Sequence, residues 1–155
     1  MYSGFLDIGE GKHIHYMFVE SQHNPDLDPV IVWFNGGPGC SSMLGWATEH
    51  GPYIMKDGEK TFSKTLNPWS WNTNANVLYI ESPVGVGYSY LDAGYNPKPE
   101  LNDKQTAVDA WKAIKEWQVR FPEYKTSDMF IAGESYAGIY VPYLAFENIN
   151  ANKED

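Results

Sequence analysis

The sequence predicts an α/β fold with a mostly parallel central sheet and flanking helices, and three observations predict it. The runs "VIVWF" (30–34), "NVLYI" (76–80) and "DMFIAG" (128–133) are short, apolar and unalternating, as strands covered on both faces are. Between the second and third runs, Ala107, Ala110, Trp111, Ile114, Trp117 and Phe121 recur at three- and four-residue spacing. That period predicts a helix from Asn102 to Phe121. A second apolar segment, "IYVPYLAFENI", follows the third run and is expected to form a packed helix. Strand, helix, strand, helix in that order implies parallel strands joined by crossovers.

The elements follow in chain order. "HIHYMFVE" alternates about Ile14, Tyr16 and Phe18 as a half-buried strand should, and "SQHNPDLDP" supplies turn residues after it, so an antiparallel beginning is expected. "VIVWF" leads into the glycine-rich loop "NGGPGCSS", and "NVLYI" leads into a second such loop, "ESPVGVGYSY". The large aromatics of "NPWSWN", with Tyr88 and Tyr90, are expected to pack rather than line a cleft. Asn102 and Gln105 have the spacing of a helix-capping pair. The third strand then turns sharply through "GESYAG" into the last helix.

Composition bounds what these elements can do. The 155 residues suffice for one domain with a buried core, and 43% of them are hydrophobic, with six Trp, eleven Tyr and seven Phe. A formal charge of −9 repels phosphate backbones and anionic headgroups, so nucleic acid is excluded as a partner. No stretch reaches the roughly 18 apolar residues of a membrane span, and "MYSGFLDIGEGK" lacks the regions of a signal peptide. The single cysteine, Cys40, is expected to be a buried thiol; it permits no internal disulfide and shows no metal-ligand spacing.

The chemistry concentrates at "GESYAG". A serine on a tight strand-to-helix corner needs small residues two before and two after it, and Gly133 and Ala137 meet that need around Ser135. Ala137 departs from the strict pattern, which has Gly there. A serine displayed in this way also needs an oxyanion donor from the loop after a neighbouring strand. Gly36 and Gly37 suit that role because they lack a Cβ that would block a substrate. Two phosphate-loop readings compete. Gly37, Gly39 and Ser42 mimic a dinucleotide fingerprint, but Ser replaces its third Gly and Pro38 breaks the turn. "ESPVGVGYSY" lacks the Lys-Ser/Thr ending of a nucleoside-triphosphate loop.

"VWFNGGPGCSS", "ESPVGVGYSY" and "IAGESYAGIYVP", in this order, resemble the serine carboxypeptidases, which are α/β-hydrolase-fold enzymes that remove the C-terminal residue of peptides. The likeness runs from "SGFLDI" to "PYLAFENI". The resemblance implies that Ser135 is the nucleophile and that the N–H groups of Gly37 and Tyr136 form the oxyanion hole. It also implies that Asn35, Gly36, Glu49 and Glu134 bind the substrate's terminal carboxylate. Peptide or protein C-termini are then the partners, no cofactor is needed, and the setting is lysosomal, vacuolar or secreted. Two carboxyls crowded beside a third anion share protons, so Glu49 and Glu134 are expected to bind substrate best in acid.

The sequence departs from that pattern after the serine. In α/β-hydrolases an Asp or Glu and then a His follow the nucleophile. Here His13, His15, His23 and His50 all precede Ser135 and read as structural or surface residues, and only Glu147, Glu154 and Asp155 follow as acids. The expectation is therefore an N-terminal half of such a domain, residues 1–155, truncated after the elbow helix. A second chain or a missing C-terminal segment would carry the Asp, the His and the partner that the family supplies to Cys40. Two other readings stay open. One is an acyltransferase on the same scaffold, against which Glu134 speaks because those relatives often carry Asp before the serine. The other is a non-catalytic remnant or binding protein.

Overall fold

A computed structural model describes residues 1–94 and 101–151. Its strands are β1 (Tyr2–Asp7), β2 (Lys12–Val19), β3 (Val30–Phe34), β4 (Asn76–Ile80), β5 (Tyr90–Leu91) and β6 (Met129–Gly133). Two long helices, α1 (Asp103–Arg120) and α2 (Ala137–Ala151), flank β6 in sequence. The acids Glu154 and Asp155 lie outside the described residues.

The sheet runs β1-β2-β4-β3-β6, with β5 pairing β2. Its centre, β4-β3-β6, is parallel as the alternating pattern required, while β1, β2 and β5 pair antiparallel on one flank. Side chains alternate across the parallel strands. Val32, Phe34, Leu78 and Ile80 face the helices, where they meet Ala110, Trp117 and Leu144. Trp33, Val77 and Tyr79 point to the opposite face and pack with Val19. Each buried strand thus contributes to two apolar clusters, and that explains why its sequence shows no alternation.

Half of the expected capping pair forms: Asn102 Oδ1 accepts the Gln105 N–H at 2.9 Å, while the Gln105 side chain donates to Asp109 Oδ1 at 2.8 Å instead of returning to Asn102. Several expectations fail for one shared reason, which is that a residue's type does not fix what covers it. The "DMFIAG" segment is not interior. β6 pairs with β3 alone among the described residues, and Phe130 is 58% exposed. In "NPWSWN", Trp69 is 84% exposed instead of packed, and Tyr88 is likewise largely exposed. Cys40 is exposed as well, on the loop after β3 rather than beneath it.

Candidate active site

Strands β3 and β6 are parallel neighbours in register Phe34↔Gly133, so the chain leaves both at the same end of the sheet. The two glycine-bearing loops therefore emerge side by side. At the end of β6 the backbone turns through Ser135, whose φ of 53° lies in the left-handed region that non-glycine residues seldom occupy. Ser135 is exposed at this corner, and among the described residues nothing hydrogen-bonds its hydroxyl. Gly133 makes the corner sterically possible: a Cβ there would lie 2.5 Å from Ala137 Cβ and 2.6 Å from the Phe34 carbonyl oxygen.

The loop after β3 touches the corner directly. A Cβ on Gly36 would lie 2.4 Å from the Tyr136 nitrogen and 2.7 Å from the Glu134 carbonyl oxygen. Only glycine permits that approach. Beside Gly36, Gly37 has a φ of 108° and remains exposed, with Cys40 N–H closing the turn onto the Gly36 carbonyl at 3.0 Å. A cavity of about 580 Å³ opens against both loops, bordered by Pro38, Gly39, Val84, Val86, Tyr136 and Tyr140.

The four residues expected around a terminal carboxylate come together except where backbone alone is concerned. Asn35 Nδ2 donates to Glu134 Oε1 at 2.9 Å and to Glu49 Oε1 at 3.2 Å. Its amide is fixed from the other side, because Asn35 Oδ1 accepts from Trp33 Nε1 at 2.8 Å and from Gly45 N–H at 3.1 Å. Glu49 ends a π-helical turn, Gly45–Glu49. Desolvation of its carboxyl, reinforced by the negative charge of Glu134, pushes it above the usual carboxylate range in spite of the bond from Asn35. A carboxyl of that kind holds its proton into weaker acid and can donate.

The histidines occupy other places. His13 meets Asp92 and His23 meets Asp28, both toward the surface. His50 is buried between Trp33, Trp71 and Tyr79, and burial depresses it to about 4, the Glu134 charge opposing the shift only in part. His15 lies 2.9 Å from Glu81 through Nδ1 and 2.8 Å from Ser3 through Nε2. This hydroxyl–imidazole–carboxylate series ends on Ser3 in β1, a regular strand, and not on Ser135. Sequence reading missed the Glu81 network because nothing local marks a glutamate after a strand as a hub; its one visible trace is the glycine at 87.

Comparison with known proteins places the chain in a family. The family model described as serine carboxypeptidase matches residues 1–155. The lysosomal protective protein of Mus musculus is 51% identical over 144 residues, which is 93% of this chain and 29% of that protein. Serine carboxypeptidase-like 20 of Arabidopsis thaliana is 46% identical across 98% of this chain and 31% of its own length. The chain thus spans less than a third of these relatives. Among solved structures, Kex1(delta)p, a prohormone-processing carboxypeptidase from Saccharomyces cerevisiae, superposes with a TM-score of 0.83 at 28% identity, covering 98% of this chain and 34% of that one. By its sequence and by the α/β-hydrolase arrangement around Ser135, the chain belongs to the serine carboxypeptidase family.

Proposed function

We propose that this chain supplies the nucleophile, the oxyanion donors and the carboxylate clamp of a peptidase that removes C-terminal residues through an acyl-enzyme on Ser135. The observation that carries the reading is the Asn35 amide, bonded at once to Glu49 and Glu134 beside the serine corner. A substrate's terminal carboxylate brought to this amide takes over one of the two N–H groups now given to Glu49 and Glu134, and meets a carboxyl with a raised affinity for its proton. Both can donate, and a neutral terminus accepts more weakly there than a carboxylate does.

Binding in that way would lay the last peptide bond across Ser135. Its Oγ attacks the carbonyl carbon while a base takes the hydroxyl proton, and the developing oxyanion is held by the N–H groups of Gly37 and Tyr136. The C–N bond then breaks, the departing amine takes up the proton, and water later cleaves the acyl-serine ester. The base and its orienting acid come, in this reading, from sequence other than residues 1–155. Two features support a docking place for such sequence: the edge of β6, which no second strand pairs among the described residues, and the exposed Ile139, Tyr143, Phe146 and Ile149 of α2. Alone, the segment is expected to turn over slowly, since serine hydrolases stripped of triad partners lose several orders of magnitude.

The test is carried out on the full-length protein. Peptides with a free C-terminal carboxylate should lose their last residue, C-terminally amidated peptides should not, and Ser135→Ala should abolish release. Equal turnover of the free and amidated peptides would refute the carboxylate clamp, and an active Ser135→Ala enzyme would refute the nucleophile.

A further inference from the structure

The buried carboxylate of Glu81 belongs to no part of the chemistry described above, yet it ties together three segments around it. It stands directly after β4 and is fully buried. A carboxylate taken out of water is costly unless its oxygens are met by donors. Here three donors meet it. Oε2 accepts the Tyr88 N–H at 2.8 Å and faces His15 Nδ1 at 2.9 Å, and Oε1 accepts the Ser41 hydroxyl. An ionised carboxylate only accepts, so His15 Nδ1 carries the proton. Burial by itself would raise the Glu81 pKa, but the bonds from His15, Ser41 and Tyr88 together hold it below the ordinary value. Gly87 is part of the same device, because a Cβ there would fall on the carboxylate.

The segments joined are unequal in importance. Tyr88 and Gly87 belong to the loop after β4, His15 to β2, and Ser41 to the loop after β3 that holds Gly36 and Gly37. That last loop is anchored at its start by Asn35, and Ser42 Oγ accepts the Asn35 N–H and donates to the Ile80 carbonyl. Those contacts hold the two ends of the loop together, and on its outer limb the Gly39 N–H donates to the Tyr140 hydroxyl at 3.2 Å. Ser41 follows Cys40, whose N–H closes the Gly36–Cys40 turn. The side chain of Ser41, on Glu81, and the Gly39–Tyr140 bond therefore together fix where that turn, with Gly37 inside it, lies along the sheet end.

We infer that Glu81 is a positioning residue that sets the Gly37 amide for the oxyanion through Ser41, a role that rests on the peptidase reading above. Its effect belongs to the transition state. The carboxylate clamp at Asn35 has its own supports from Trp33 and Gly45, so ground-state binding does not pass through Glu81. Displacement of an oxyanion donor by a fraction of an ångström to an ångström costs on the order of tenfold to a hundredfold in rate.

The experiment compares Ser41→Ala, Ser41→Thr, Glu81→Gln and Ser135→Ala in the full-length protein. Ser41→Ala should lower kcat by about tenfold while KM for a peptide changes less than about twofold, since the hydroxyl acts only through loop placement. Ser41→Thr keeps the hydroxyl and should restore kcat. Affinity for a peptide aldehyde, which forms a tetrahedral oxyanion on Ser135, should fall with kcat, and affinity for a free amino-acid product should not. Glu81→Gln should reproduce the same split in milder form if it folds, and Ser41→Ala carries the test if it does not. Wild-type kcat in Ser41→Ala, or a loss confined to thermal stability, would overturn the inference while an inactive Ser135→Ala leaves the peptidase reading standing. An active Ser135→Ala would remove that reading and the inference with it.

Discussion

Asn35 and Glu134 come from the ends of two parallel strands and meet at 2.9 Å, side-chain amide to carboxylate, next to the strained corner at Ser135. The same amide reaches Glu49, so one neutral side chain holds two acids in place. Removal of that amide leaves two carboxylates facing each other without a shared donor.

Asn35→Ala in the full-length enzyme is therefore expected to raise KM for peptides by roughly tenfold to a hundredfold, the value of a lost hydrogen bond to a charged group. Peptide amidation should erase the difference between variant and wild type. Steady-state kinetics on paired free and amidated peptides measures both effects.

The pH dependence follows from Glu49. Its carboxyl is raised, so the donating, protonated form persists to higher pH than for an ordinary glutamate and is lost as pH climbs through the raised value. KM should thus be lowest in acid and increase with pH. Glu49→Gln carries a permanent donor, and its KM should stay flat over the same range; a KM profile that rises as in wild type would assign the titration elsewhere.

His50 gives an opposing trend in stability. Folded, it titrates at about 4; unfolded, near 6.5. Between those values the unfolded chain binds more protons, so stability falls as pH drops from about 6.5 toward 4, by on the order of 2–3 kcal/mol in all. Urea unfolding of the full-length protein at several pH values checks this, and His50→Gln should flatten the curve within that window.

Glycine substitutions should separate contact from space. Gly36→Ala places a methyl group against the Tyr136 nitrogen and should destabilise by about 1–3 kcal/mol with loss of activity. Gly138→Ala, in α2 with nothing within 4 Å of a new Cβ, should instead leave stability unchanged or raise it by about 0.5–1 kcal/mol. Thermal melts distinguish the two.

A last prediction concerns the core. Lys12 Nζ lies 3.0 Å from both carboxylate oxygens of Asp109, and both side chains are buried. Lys12→Ala should cost about 3–5 kcal/mol by leaving the buried Asp109 carboxylate without its cation, and Asp109→Ala should cost less, because Lys12 Nζ keeps Glu10 at 3.2 Å. Replacement of both by apolar residues of similar volume should recover most of it.

Much of this was legible in the sequence. Local patterns fixed β3 and β4 to the residue and placed the cap at Asn102, because strand covering, helical period and capping geometry depend on near neighbours. Gly133 and the serine between Glu134 and Tyr136 marked a corner for the same reason, since Gly133 and Ala137 meet across four residues; what Gly36 must clear lies across the sheet, at Tyr136 and Glu134.

What only the tertiary structure decided is who meets whom and what stays covered. Asn35 is joined to Glu134 because β3 and β6 are parallel neighbours, and Ser41 is joined to Glu81 because β3 and β4 are. The exposure of Cys40, Trp69 and Phe130 is equally a matter of what packs over them. Hydrogen bonds, desolvation and burial are properties of pairs brought together by the sheet, and one position in a chain does not record its distant partner.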